Sequence, residues 1–247
     1  MRPASTPFGR EAGWLNCIQK AWATANVSKG DSPRLSSTYN RMGTRVAFSR
    51  FRYMTGLTEI RIDGRGGQGN VVAAYVLAQA GFEAGRFVQA FPSFGPERRG
   101  APVAAFVRIS DRPIRRRCQI RQPSYVIIQD ASLLNVPGIT QGVHPGGGIL
   151  INSSRETEGL ALPVGVKVKA VPATALAIQF LGQSIPNTAL LAAFLTLTDL
   201  LPLEALQRVL SRRFEGEALE RNLRLMREAA AQVSPGSWKD AGCDRGN

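Results

Sequence analysis

Alternating apolar and polar residues from Leu57 onward predict a β-strand that leads into a glycine-rich turn. The segment LTEIRID alternates, GRGGQG interrupts the alternation, and NVVAAYVLAQAG then places apolar residues at helical spacing up to Gly81. Further apolar runs predict strands at 86–91, 102–109, 124–129, 148–152 and 166–171. After Pro172 the periodicity becomes helical and predicts helices at 173–181, 186–200, 203–214 and 217–233.

This order of elements predicts an α/β protein. We expect a three-layer, Rossmann-like domain with a mostly parallel sheet and a helical C-terminal part. Neither an internal repeat nor a long linker interrupts residues 54–233, so this segment is predicted to be one domain. Residues 234–247 are predicted to be a short polar tail.

The first 53 residues differ in composition from the rest of the chain. They carry nine Lys or Arg and two Asp or Glu, and they show no sustained strand pattern. Three interpretations of this basic leader stay open: a transit peptide, a flexible interaction arm, or upstream sequence translated from a wrongly assigned start, with Met54 the true start. The last is favoured, and the leader is excluded from the prediction of the fold.

Composition excludes some classes of protein. The 247 residues are 44% hydrophobic, which is enough for a substantial core. The longest apolar stretch, 188–201, is shorter than the roughly 20 residues that cross a bilayer, so we expect no membrane span. Cys17, Cys118 and Cys243 are too scattered to hold a cluster, which predicts a reduced, cytoplasmic chain without a metal of its own.

The formal net charge of +13 attracts anions of many kinds but does not specify a fold. Nucleic acid is one such anion, yet no recognition motif or aromatic stacking pattern accompanies the charge, so we expect no nucleic-acid partner. The basic run from Arg112 to Arg121 is interpreted either as a solvated face or as a docking surface for an acidic partner.

The glycine-rich turn is the first candidate for chemistry. Gly64, Gly66 and Gly69 fit the pattern GxGxxG between a strand and a helix, where backbone N–H groups can approach a phosphate. A nicotinamide site also needs an acidic residue about 20 positions further on. The second predicted strand instead ends in Phe91 and Pro92. The turn is therefore interpreted as a site for an anionic or polar group, or as a tight turn without a ligand.

A second candidate is the segment FPSFGPERRGAP, which begins at Phe91. It combines two aromatic residues, a Gly-Pro turn and the charged residues Glu97, Arg98 and Arg99. In a parallel sheet, the loops at the carboxyl ends of the first two strands lie over one cleft. We therefore expect this segment to face the glycine-rich turn, unless its charges are simply solvated.

Four segments carry a resemblance to a known family. GRGGQG, FPSFGPERRGAP, AFVRISDRPI and IPNTALLAAF, together with the pattern over 57–233, resemble the gamma subunit of 2-oxoacid:ferredoxin oxidoreductases, the pyruvate:ferredoxin oxidoreductase family. The leader has no counterpart in that family, which favours the wrong-start interpretation.

The resemblance implies a subunit that is not active alone. Enzymes of this family decarboxylate a 2-oxoacid such as pyruvate on thiamine diphosphate, pass electrons through iron–sulfur clusters to ferredoxin, and release an acyl-CoA. The resemblance implies that companion subunits hold the thiamine diphosphate, its Mg²⁺ and the clusters. It leaves to this chain a part in binding coenzyme A and in closing the active site.

The resemblance and the chemistry of the loops together suggest roles for individual residues. We expect the N–H groups of Gly66, Gly67, Gln68 and Gly69 to donate to a phosphate or amide of coenzyme A. Gly64 and Arg65 are also expected to be cofactor-binding residues, with Arg65 as a charge partner. The remaining expected roles are Ser93 and Arg99 as cofactor contacts, and Glu97 and Arg98 as residues that orient the loop or bridge subunits.

One alternative to this function stays open. The bare GxGxxG pattern would also suit a stand-alone dinucleotide-binding oxidoreductase or redox sensor. The missing acidic residue argues against it.

Overall fold

The computed structural model describes residues 56–93, 101–155 and 163–239. All of them belong to one compact unit that spans Arg52–Asn247. The basic leader lies outside the described residues. The strands are β1 (Leu57–Arg65), β2 (Phe87–Pro92), β3 (Pro102–Ser110), β4 (Tyr125–Ile128), β5 (Gly148–Asn152) and β6 (Lys167–Val171). The helices are α1 (Asn70–Glu83), α2 (Ala173–Leu181), α3 (Asn187–Thr198), α4 (Leu203–Arg213) and α5 (Gly216–Ala231), with a 3₁₀-helix at Ala131–Asn135.

The strands form one mixed sheet in the order β2-β3-β1-β4-β5-β6. Strand β4 runs parallel to β1, β5 parallel to β4, and β6 parallel to β5. Strand β3 is antiparallel to both of its neighbours, β1 and β2. Five strands therefore point in one direction, which confirms the predicted α/β fold with a mostly parallel sheet.

The position of β3 differs from the simplest expectation for a parallel sheet. It lies between β1 and β2, so the first two strands are not adjacent. The cause is the short connection from Pro92 to Pro102, because a parallel crossover needs a dozen or more residues and a hairpin does not. The carboxyl ends of β1 and β2 nevertheless lie at the same end of the sheet, beside the start of β3.

Alternation along the strands divides the core between the two faces of the sheet. On one face, Ile60, Ile62, Tyr125, Ile127 and Leu150 pack with the buried sides of the helices. On the other face of β4 and β5 a smaller cluster forms under the 3₁₀-helix and the segment that follows it. Within the described ranges, this second covering layer is built of a 3₁₀-helix and loops rather than of α-helices.

The helical part packs as a layer of its own. Helix α3 is buried along most of its length, because its residues are apolar on all sides, whereas α4 and α5 expose a charged face. Glu83 at the end of α1 pairs with Arg208 and Arg212 of α4. No helix among the described residues is both long and apolar enough to cross a membrane.

The described residues after Val233, which were predicted to belong to the polar tail, include a side chain that packs into the core. Trp238 is 4% exposed, and its ring stacks on Tyr125 with 6.3 Å between centroids and 3° between planes. Its backbone N–H donates to the carbonyl of Leu197, and its carbonyl accepts from the Tyr125 hydroxyl. Gly148 makes room for the indole, because a Cβ there would lie 2.6 Å from Cε3 of Trp238.

Candidate functional site

The glycine-rich turn lies at the carboxyl end of β1, at the end of the sheet where parallel strands present ligand sites. Gly64 and Arg65 are still part of β1 and pair with Val103 and Pro102 of β3. The loop proper is therefore residues 66–69, and α1 follows it without a break. This loop is called the glycine loop below.

Two of the four predicted amide donors are occupied within the chain. The N–H of Gly66 donates to the carbonyl of Ala101, and the N–H of Gln68 donates to the carbonyl of Arg65, both at 3.1 Å. The N–H groups of Gly67 and Gly69 make no hydrogen bond to any described residue. The donors that this conformation leaves for a ligand are therefore those of Gly67 and Gly69, together with the first turn of α1.

The start of α1 has the features of an anion site. Its N-cap is Gly69, which supplies no capping side chain, and its first turn contains no acidic residue. The first intrahelical bond is made by the N–H of Ala73, so the preceding N–H groups have no partner within the helix. A helix N-terminus of this kind carries partial positive charge and unused donors.

Gly67 and Gly69 are required by backbone conformation. Gly67 has a φ of 95° and Gly69 a φ of 80°, a region that side chains with a Cβ rarely adopt. Gly67 is exposed, and a Cβ there would contact nothing within 4 Å. The loop thus opens its backbone to solvent at Gly67, where a ligand could approach closely.

Arg65 is engaged with the loop that follows β4. Its Nε lies 3.1 Å from a carboxylate oxygen of Asp130, and its Nη2 lies 2.7 Å from Oγ of Ser132. Gln68 donates to the same oxygen of Asp130 through Nε2 at 3.0 Å, and its Oε1 accepts from the N–H of Arg65. The guanidinium therefore anchors the glycine loop to the end of β4.

Two carboxylates near the loop have shifted pKa values in opposite directions. Burial raises the pKa of Asp63, and the adjacent Arg61, which donates to it at 2.8 Å, offsets only part of that effect. For Asp130, burial also acts upward, but hydrogen bonds from Ser132 and Gln68 and the charge of Arg65 outweigh it and lower the pKa. Asp130 is therefore an anion under neutral conditions, matched to its cationic partner.

Ser93 lies at the same end of the sheet as the glycine loop. It is half-buried just after β2, and its N–H donates to the carbonyl of Ala104 at 2.8 Å. Strand β3 separates it from β1, so Ser93 lies roughly 10 Å from the glycine loop, two strand spacings away. The predicted loop residues Glu97, Arg98 and Arg99 lie outside the described residues.

Two asparagines beside the glycine-rich turn were not predicted as site residues. Asn70, the first residue of α1, covers Gly64, where a Cβ would lie 2.7 Å from its Nδ2. Asn187, the first residue of α3, donates through Nδ2 to the carbonyl of Gly69 at 3.3 Å. The available signals were the position of Asn70 directly after GxGxxG and the occurrence of Asn187 within IPNTALLAAF.

The described residues offer no set of side chains suited to a metal cluster. No group of three or more His, Cys, Asp or Glu side chains comes together in those parts of the chain. Cys118 is the one described cysteine, and it is exposed.

The basic run lies away from the glycine loop. It follows the carboxyl end of β3, which is the opposite end of the sheet because β3 is antiparallel to β1. The buried guanidinium of Arg108 fixes the backbone of the basic run by donating to the carbonyls of Arg116 and Cys118. The carboxylate of Glu59, 2.7 Å away, neutralises the charge of Arg108. Arg112, Arg115, Arg116, Arg117 and Arg121 are exposed.

Comparison with known proteins shows which family this chain is similar to. The sequence model of the pyruvate ferredoxin/flavodoxin oxidoreductase family matches residues 59–232. Pyruvate synthase subunit PorC of Methanocaldococcus jannaschii is 45% identical over 166 residues, which cover 67% of this chain and 91% of the relative. The pyruvate/ketoisovalerate oxidoreductases common subunit gamma of Thermococcus kodakarensis is 44% identical over 176 residues, covering 70% of this chain and 95% of that protein.

Solved structures agree with the sequence relatives. The crystal structure of pyruvate oxidoreductase subunit PORC from Thermotoga maritima matches with a TM-score of 0.65 at 36% identity, over 71% of this chain and 96% of that one. A 2-oxoglutarate:ferredoxin oxidoreductase from Magnetococcus marinus matches with a TM-score of 0.62 at 22% identity, covering 72% of this chain and 32% of that one, and shows the shared fold alone. The chain belongs to the pyruvate ferredoxin/flavodoxin oxidoreductase family, in which it corresponds to the gamma subunit.

Proposed function

We propose that this gamma subunit helps to bind coenzyme A and closes the active site of a multi-subunit 2-oxoacid:ferredoxin oxidoreductase. The complete enzyme would oxidatively decarboxylate a 2-oxoacid such as pyruvate and release an acyl-CoA. Bound thiamine diphosphate would supply the nucleophilic carbon and the electron sink for this reaction. The chain is expected to act in the cytoplasm, only together with its companion subunits, and not as a stand-alone dinucleotide enzyme.

The distribution of ligand side chains supports this division of labour. Iron–sulfur clusters need sets of cysteine thiolates, and the three cysteines of the sequence stand far apart. The proposal therefore places the clusters on partner subunits. Following the family, it also places thiamine diphosphate and Mg²⁺ there, with ferredoxin as the electron acceptor.

The observation that carries the role in binding coenzyme A is the exposed backbone of the glycine loop. Gly67 combines a φ of 95° with open space around it, and it precedes the uncapped start of α1 by three residues. Coenzyme A offers phosphate oxygens and amide carbonyls, which accept hydrogen bonds from such N–H groups. The Magnetococcus marinus enzyme has coenzyme A bound, but its likeness to this chain is limited to the fold. The proposed role therefore depends on the geometry of the glycine loop in this chain.

The replacement Gly67→Val tests this role in the assembled enzyme. A β-branched side chain at this φ would distort the loop and cover the N–H groups that we assign to coenzyme A. We expect the KM for coenzyme A to rise about tenfold, which corresponds to roughly 1.4 kcal/mol of binding energy. The kcat at saturating coenzyme A and the KM for the 2-oxoacid should stay close to those of the unmodified enzyme.

Gly85→Val is the matched control. Gly85 has a φ of 75° and open space around it, but it lies at the far end of α1, about 20 Å along the helix from the glycine loop. Gly85→Val should carry the same cost of a side chain at positive φ as Gly67→Val, and it should leave the KM for coenzyme A unchanged. Unchanged coenzyme A kinetics in an assembled Gly67→Val enzyme would contradict the assignment of the loop.

A further inference from the structure

A buried guanidinium fixes the shape of the basic run. Arg108 of β3 is 0% exposed, and it donates to the carbonyl of Cys118 at 2.6 Å and to that of Arg116 at 3.4 Å. Its other partners are the carboxylate of Glu59 at 2.7 Å and the side-chain oxygen of Gln89 at 3.0 Å. A buried ion pair is costly to form and contributes little to stability, so its value lies in ordering the segment that it contacts.

The fixed segment turns its arginines outward and its apolar side chains inward. Ile120 is 5% exposed, and Ile114 is partly buried. The exposed arginines are Arg112, Arg115, Arg116, Arg117 and Arg121. The one carboxylate in residues 111–122 is that of Asp111, so positive charges outnumber negative ones along the run. An ordered cluster of like charges repels itself, and an acidic partner surface relieves that repulsion.

The basic run and the glycine loop lie at opposite ends of β3. The N–H of Gly66 in the glycine loop donates to the carbonyl of Ala101, just before β3, whereas the run begins after Ser110, where β3 ends. The nine residues of β3 span about 27 Å. A protein that docks on the run therefore need not cover the proposed coenzyme A site.

The composition of this surface suits a partner that binds and leaves. Permanent subunit interfaces are mostly apolar, whereas brief encounters between redox proteins use small surfaces, and opposite charges speed their association. Arginine side chains bind carboxylates through two parallel hydrogen bonds. Phe87 of β2, which pairs with Ser110 in the sheet and is 47% exposed, adds an aromatic contact beside the charges. In the proposed reaction, the electron acceptor is the protein that has to bind and leave in every turnover.

We infer that the basic run is the docking surface for an acidic electron-acceptor protein. This inference rests on the proposed function, because it names the place where the acceptor binds to the assembled enzyme. Charge complementarity determines the choice of partner, since a carboxylate-rich protein surface matches a fixed cluster of arginines. Nucleic acid, the other polyanion that arginines attract, is one outcome of the test.

Charge reversal of three arginines tests the docking surface in the assembled enzyme. The triple variant Arg115→Glu, Arg116→Glu and Arg121→Glu keeps the backbone carbonyls that Arg108 holds. With ferredoxin from the native host as acceptor, we expect the KM for ferredoxin to rise about tenfold at about 0.05 M salt, while kcat changes less than about twofold. This difference should shrink at about 0.5 M salt, because salt screens exposed charges. The reduction of a viologen dye and the KM for coenzyme A should stay unchanged, since a small dye needs no protein docking surface.

The matched control is the triple variant Arg213→Glu, Arg224→Glu and Arg227→Glu. These arginines are exposed on α4 and α5, on the helical side of the sheet, so the control changes the net charge by the same amount away from the basic run. Its KM for ferredoxin should stay close to that of the unmodified enzyme. If the reversal variant fails to assemble, replacement of the same three arginines of the run by Gln serves instead, with an expected rise of about threefold.

The outcomes separate this inference from the proposed function. An unchanged KM for ferredoxin in an assembled variant of the run, or an equal rise in the control, overturns the inference and leaves the proposed function intact. Loss of companion subunits from both variants of the run, but not from the control, would make the surface a subunit interface and also overturn it. Salt-sensitive binding of single-stranded DNA to the run, with unchanged ferredoxin kinetics, would assign the surface to nucleic acid instead. If the unmodified enzyme shows no coenzyme A-dependent reduction of the dye, the proposed function itself fails.

Discussion

At the scale of single residues, the glycines of GRGGQG are required for different reasons. Gly67 is needed for its positive φ, and the space around it is open. Gly64 has ordinary strand geometry in β1, but Asn70 lies directly above it. The pattern GxGxxG predicts a turn and a close approach, but it does not tell which glycine serves which purpose.

This difference predicts that Gly64→Ala destabilises the chain more than Gly67→Ala does. Gly64→Ala would place a Cβ 2.7 Å from Nδ2 of Asn70, a side chain that is buried and bonded to Val103. We expect Gly64→Ala to lower the free energy of unfolding by about 2–3 kcal/mol through overpacking. Gly67→Ala carries the cost of a positive φ alone, about 1 kcal/mol. Urea unfolding of the purified chain measures both, and the opposite ranking would contradict the packing of Asn70 on Gly64.

Site residues that depend on distant contacts could not be identified from the sequence. The glycine loop was predicted because its glycines are contiguous and stand between a strand and a helix. Asp130 and Asn187 were not predicted, since each reaches the loop from a segment more than 60 residues away. A role for Arg65 as a charge partner was expected, and its observed partners, Asp130 and Ser132, depend on the pairing of β4 with β1.

At the scale of elements, Asp130 ties the glycine loop to the end of β4. It accepts hydrogen bonds from Arg65, Gln68 and Ser132, and it also caps the 3₁₀-helix. Because its pKa is lowered on folding, ionised Asp130 contributes stability above the unfolded pKa of about 4. That contribution is lost as the pH falls through the folded-state pKa.

The variant Asp130→Asn tests this linkage. It keeps the shape of the side chain but removes the charge that matches Arg65. At pH 7 we expect the free energy of unfolding to fall by an amount on the order of 1 kcal/mol, a modest value because the pair is partly exposed. Urea unfolding at a series of pH values should show the difference from the unmodified chain beginning to shrink as the pH falls to about 4, and disappearing once the pH is below the folded-state pKa. A difference that stays constant across this range would show that the charge of Asp130 does not stabilise the loop.

Local patterns predicted the elements better than their arrangement. The strands and helices occur where alternation and helical periodicity predicted them, with ends shifted by one or a few residues. The antiparallel direction of β3 depends on its pairing with β1 and β2. In the sequence, only the short connection between β2 and β3 indicated this direction. The burial of Trp238 depends on the space left by Gly148, which no pattern within residues 234–247 reveals.

At the scale of the whole molecule, the glycine loop and the basic run lie at opposite ends of the sheet. The glycine loop and Ser93 lie at the carboxyl end of β1, and the exposed arginines of the basic run begin at the other end of the sheet. A gamma subunit that shares an active site with companion chains would present the glycine loop to them. On this proposal an isolated chain would hold only part of the site, so its function has to be tested in the complex.

The measurement that tests the account most directly is the activity of the tagged chain purified from its native host without oxygen. The reaction to follow is the reduction of a viologen dye that depends on both a 2-oxoacid and coenzyme A, with co-eluting subunits identified from the same preparation. We expect co-elution with thiamine-binding and iron–sulfur subunits and turnover that requires coenzyme A. A solitary chain without this activity would contradict it and would favour a stand-alone dinucleotide-binding protein.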